Sequence, residues 1–101
     1  MSATIDDIMQ QGLSDEARAK ALNDLGKKSL EQNDIEHAIA CWEKSIACYG
    51  KPGFAQAQLM KAYNIRRREC AQAGDSGGAE RYSQKIDALM QQSKDAIRYG
   101  F

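Results

Sequence analysis

The chain is poor in the β-branched residues that fit a pleated surface: eight Ile stand beside one Thr and no Val. Ala, Gln, Lys, Glu, Leu and Arg dominate instead, and these are helix formers. A single Pro leaves long stretches without the residue that breaks helices. The expected fold class is therefore all-α, built from antiparallel helical hairpins. At 101 residues the length suits one domain.

Start and stop signals divide the chain into a lead-in and four helices. Residues 1–13 form the lead-in, with room for one short helix capped by Thr4, charged by Asp6 and Asp7, and ended by Gly12. Residues 14–99 form the domain. Ser14 caps a helix over Asp15–Glu31, with Leu22, Leu25, Gly26 and Ser29 facing inward. Asn33 suits a left-handed C-terminal position and Asp34 caps the next helix. That helix covers Ile35–Tyr49, with Ile35, Ala38, Ile39, Trp42, Ile46 and Tyr49 on one stripe. Gly50 stops it, and Lys51-Pro52-Gly53 forms a turn. The third helix covers Gly53–Ala73, its stripe of Ala55, Leu59, Ala62, Tyr63, Cys70 and Ala73 interrupted by Arg66. Asp75-Ser76-Gly77-Gly78 reads as a turn before a helix over Gly78–Arg98. Its stripe is Ala79, Tyr82, Ile86, Leu89, Ser93, Ala96 and Ile97, and Phe101 has room to fold back.

Charge and chemistry narrow the function. Fourteen basic and fourteen acidic residues cancel, whereas a dedicated nucleic-acid module carries a basic excess. No apolar run approaches the length of a membrane span. The polar first 15 residues, with Asp6, Asp7 and Asp15, do not read as a secretory signal. Cys41, Cys48 and Cys70 are odd in number, and with His37 they offer no second closely spaced ligand pair for zinc. They read as small hydrophobes in a reducing compartment, so the expected setting is cytoplasmic, with no metal and no cofactor. His37 is the only His and lies in a helix first turn beside Asp34 and Glu36. The Gly77-Gly78 pair lacks the Lys-Ser/Thr of a phosphate loop. No nucleophile, acid or base is assembled, so an enzyme is not expected.

Two helical hairpins invite a search for a repeat. Residues 19–52 resemble a tetratricopeptide repeat. Leu22, Leu25 and Gly26 stand at the family's first-helix positions, and Ala38, Trp42 and Ser45 at its second-helix positions. Gly26 and Ala38 are small where the two helices cross, and Trp42 fills a groove. A generic helical hairpin is the alternative; it accounts for the stripe but not for the small residues. The second unit departs from the pattern. Leu59 and Tyr63 match, but Met60 replaces the Gly, and Ala79 falls 20 residues after Leu59 rather than 13. The second hairpin is therefore expected to be about two helical turns longer.

The resemblance implies a right-handed helical repeat that scaffolds protein–protein interaction. Its concave groove would present Lys20, Asn23, Lys27 and Leu30 from one helix, and Phe54, Ala57, Lys61, Asn64 and Arg68 from another. A groove with Asn flanked by basic residues suits a peptide with acidic side chains or a free carboxylate. The co-chaperone branch of the family uses a similar clamp, but here Asn23 and Lys27 stand in reversed order. The rival surface is the triple Arg66-Arg67-Arg68. Residues 51–70 carry a local charge of +4, while residues 1–34 carry −3. Anion or nucleic-acid binding there is the alternative function, with nucleic acid disfavoured because Tyr63 and Tyr82 belong to core stripes. Two units also leave repeat ends uncovered, so either the lead-in docks or two chains pair as a homodimer.

Overall fold

The computed structural model describes residues 4–49 and 53–98, with side chains described as far as residue 92. Among these residues five helices follow in order: α1 (Ile5–Gln10), α2 (Asp15–Glu31), α3 (Ile35–Cys48), α4 (Phe54–Gln72) and α5 (Ser76–Arg98). The described residues contain no strand. The chain divides into two compact units, Met1–Ala55 and Gln56–Phe101. The expected roles of Gly50, Lys51, Pro52, Ser93, Ala96, Ile97 and Phe101 lie outside the described residues or side chains.

Local chemistry sets the helix starts. Thr4 and Asp7 form a capping box, each side chain accepting from the other's backbone N–H at 3.1 Å. Ser14 accepts from the Ala17 N–H, and Asp34 from the His37 N–H. Such caps each contribute about 1 kcal/mol. The two interhelical turns share one design. Asn33 at φ 63° and Gly74 at φ 80° hold the left-handed position. Asp34 N–H donates back to the Ser29 carbonyl, and Asp75 N–H to the Cys70 carbonyl, closing a Schellman turn in each case.

The first unit is an antiparallel hairpin with a docked helix. Ser29 meets His37, the Asn23 carbonyl meets Trp42, and the Ala19 carbonyl meets Ser45. As one partner moves back along α2 the other moves forward along α3, which defines the antiparallel register. Leu22, Leu25, Gly26, Ala38, Trp42 and Ser45 are all buried. The Trp42 indole lies over Gly26, where an added Cβ would stand 2.5–2.9 Å from it. The lead-in docks. Ile8 of α1 is 4% exposed within a cluster with Leu22, Leu25 and Cys41, and Ile5 and Met9 pack against it. A six-residue helix is unstable alone, so this docking is what holds it. Arg18 secures the connection by donating to the Gln11 and Leu13 carbonyls.

The second unit is a longer hairpin, with 19 residues in α4 and 23 in α5. Tyr63 meets Tyr82 with ring centroids 6.1 Å apart. Arg66 explains its place in the α4 stripe: it lies over the Tyr82 ring and pairs with Glu69 at 3.2 Å. Ala73, expected inward, is exposed. The glycine pair is not a turn. Asp75 accepts from the Gly78 N–H at 2.9 Å, so α5 begins at Ser76. Gly78 is buried against the Cys70 Sγ, with no room for a side chain.

Candidate functional site

The first unit carries a pocket of about 220 Å³ at the end of its hairpin. From α2 come Glu16, Ala19, Lys20 and Asn23; from α3 Ser45 and its cap Tyr49; then Gly53, Phe54 and Ala55 close it. Helical spacing sets the α2 wall, because residues 16, 19, 20 and 23 share one face. Lys20 is exposed and Asn23 half-buried. The Asn23 backbone carbonyl accepts from the Trp42 indole N–H at 3.3 Å. Its side-chain Oδ1 is buried without a hydrogen-bond partner. Phe54 is 45% exposed, large for an aromatic ring, and stands edge-on to Trp42 with centroids 6.3 Å apart at 77°.

Three residues expected in a groove, Lys20, Asn23 and Phe54, thus meet around one pocket. Lys27 lies on α2, exposed, and does not line it. In the second unit Lys61 and Arg68 are exposed on α4. Asn64 is engaged within its own helix: its amide donates to the Met60 carbonyl at 2.9 Å and accepts from Arg67 at 3.2 Å. Of the triple Arg, two members therefore have internal contacts, Arg66 with Glu69 and Tyr82, and Arg67 with Asn64. Glu16 and Tyr49 line the pocket without a sequence signal that marks them. Helical spacing places Tyr49 on the core stripe, yet as the α3 cap it is only half-buried.

A wider depression of about 820 Å³ lies elsewhere on the same unit. Docked α1 forms one wall with Thr4, Ile8 and Gln11, and His37 lies at its edge. The His37 Nδ1 is 2.5 Å from the Ser29 Oγ. Ser29 is buried, and its hydroxyl also lies 3.0 Å from the Leu25 carbonyl, so it bridges the His37 ring and the backbone of its own helix.

Cys41 is fully buried. Burial first, and the nearby Asp34 carboxylate second, push its thiol up from 9.0 to about 11. An acid raised on folding favours the neutral native state. Its contribution to stability is complete below pH 9.0 and is lost as the pH rises through about 11. Denaturant unfolding across that window is expected to show stability falling in the parent chain and a shallower slope in Cys41→Ala. Equal slopes would mean that this thiol is not held neutral by the fold.

No protein-family model, curated protein or solved structure matches the chain. No helix among the described residues is long and apolar enough to cross a membrane.

Proposed function

We propose that this chain is a protein-interaction module, a tetratricopeptide-like hairpin scaffold that holds a peptide segment of a partner protein. The observation that carries the reading is the pocket in which Lys20, Asn23 and Phe54 meet. Its size favours a peptide side chain over a cofactor: about 220 Å³ falls short of the roughly 300 Å³ where small-molecule sites begin. Burial of Leu22, Leu25, Gly26, Ala38, Trp42 and Ser45 supports the tetratricopeptide-like packing. The two matching interhelical turns support a repeat. Exposed Lys20 at the pocket, with exposed Lys27 on the same helix, offers cations to a partner's carboxylates, and free Cys41, Cys48 and Cys70 suit a reducing cytoplasm.

Calorimetric titration of the full chain with acidic peptides and with a short RNA, at two salt concentrations, tests the reading. Acidic peptide is expected to bind, and Lys20→Glu with Phe54→Ala to weaken it by at least about 1 kcal/mol, roughly fivefold. Lys20→Glu should hardly change stability, because exposed substitutions typically cost under about 0.5 kcal/mol, while Phe54→Ala gives up its edge contact with Trp42, about 0.5–1.5 kcal/mol. The rival reading forecasts RNA binding that Arg66→Ala with Arg67→Ala abolishes and that added salt erases. It requires Arg66 and Arg67 to leave the contacts they make within the second unit.

A further inference from the structure

We infer that the pocket beside Asn23 takes an aromatic side chain carrying a hydrogen-bond donor, the phenol of a tyrosine or the indole of a tryptophan, from an acidic segment of the partner. This rests on the peptide-binding reading above and names the residue that anchors the peptide.

Size is the first argument. An apolar cavity of about 150 Å³ holds a benzene molecule. The pocket measures about 220 Å³, enough for one ring with a substituent or for a fused pair. The walls are the second argument. Phe54 is 45% exposed, and its ring is already placed edge-on to Trp42. Aromatic rings favour edge-to-face and offset contacts, so an inserted ring can extend that pair. Ala19 and Ala55 keep the flanks low, and Tyr49 adds a second aromatic wall.

Asn23 supplies the polar argument. Its main chain is fixed through the Trp42 indole N–H, while its Oδ1 is buried with no partner. A buried acceptor left unpaired is costly, and a donor that reaches it recovers the missing bond. The terminal amide torsion is soft, so Oδ1 can turn toward an entering O–H or N–H. Phenylalanine or leucine would fill the same space and leave the acceptor unpaired. Lys20 at the rim, exposed, is placed to pair with a carboxylate on its side of the anchor, while exposed Glu16 on the same wall disfavours one beside it.

The test uses the full chain and four acidic peptides, Asp-Glu-Xaa-Glu-Asp, with Tyr, Trp, Phe or Leu at the centre. Affinity and amide shifts are followed by nuclear magnetic resonance. The Tyr and Trp peptides are expected to bind at least roughly fivefold tighter than the Phe peptide, with shifts at Ala19, Tyr49 and Ala55. Asn23→Ala should remove the preference without lowering the melting temperature, since it deletes an unsatisfied group. Asn23→Asp keeps an acceptor and should keep the preference. Equal binding of Tyr and Phe peptides, with shifts at the pocket, would overturn the donor inference and leave the peptide-binding reading intact. Absence of shifts at the pocket from every peptide would overturn both.

Discussion

Trp42→Ala is expected to cost about 3–5 kcal/mol of stability. Trp42 is among the largest fully buried side chains, at 1% exposure. Its ring covers Gly26, its N–H bonds the Asn23 carbonyl, and its edge faces Phe54. Truncation therefore removes packing, one hydrogen bond and the support of a pocket wall together. Domains of this size are stable by about 5–15 kcal/mol, so the loss is about a fifth of the total or more. Trp42 is the only tryptophan, which makes far-ultraviolet circular dichroism in urea the suitable probe. A cost under about 1 kcal/mol would show that the first hairpin does not depend on this contact, and the tetratricopeptide-like reading would fall with it. Peptide affinity should drop as well, because Phe54 loses the ring against which it stands.

Much of the first hairpin could be read from residue types because its signals are local. Thr4, Ser14 and Asp34 each precede a helix with a partner N–H three residues on, and all three cap as their positions suggest. Asn33 takes the left-handed turn for the same reason. Signals that depend on a distant neighbour were less legible. Gly77-Gly78 looks like a loop until Cys70 is placed beside Gly78 and Asp75 caps the helix. Arg66 breaks the α4 stripe until Tyr82 is found under it. Ile5 and Ile8 mark an apolar face, but periodicity does not say that Leu22, Leu25 and Cys41 receive Ile8.

The candidate site was legible to the same extent. Spacing puts Lys20, Asn23 and Lys27 on one face of α2, yet the pocket gathers only the first two. Seven residues of helix carry Lys27 about 10 Å beyond Lys20, farther than a pocket this small extends. Asn64 shows a different limit. Its spacing marks a groove position, but its amide is engaged by Met60 and Arg67 of the same helix. Tyr49 was hidden by its regular place on the α3 stripe, where only the end of the helix leaves its ring half-exposed.

Gly26→Ala is expected to destabilise the parent chain by about 1–3 kcal/mol, against the usual trend. Alanine is favoured over glycine inside a helix by about 1 kcal/mol, and residue 26 lies inside α2. The sign reverses here because an added methyl would stand 2.5, 2.8 and 2.9 Å from the indole Nε1, Cε2 and Cδ1 of Trp42. The indole is rigid and 1% exposed, so it has no free space into which to withdraw. A double-mutant cycle isolates that cause. Trp42→Leu removes the five-membered ring that meets residue 26 while keeping an apolar side chain. In that background Gly26→Ala should become neutral or stabilising, as helix propensity then acts alone. The coupling between the two positions should reach at least about 1 kcal/mol, within the range for residues in direct contact. Denaturant unfolding of the four proteins measures it. If Gly26→Ala costs the same with and without the indole, the glycine is not there to admit Trp42. The Leu-Gly pair at 25 and 26, on which the resemblance to a tetratricopeptide hairpin leans, would then lose its physical basis.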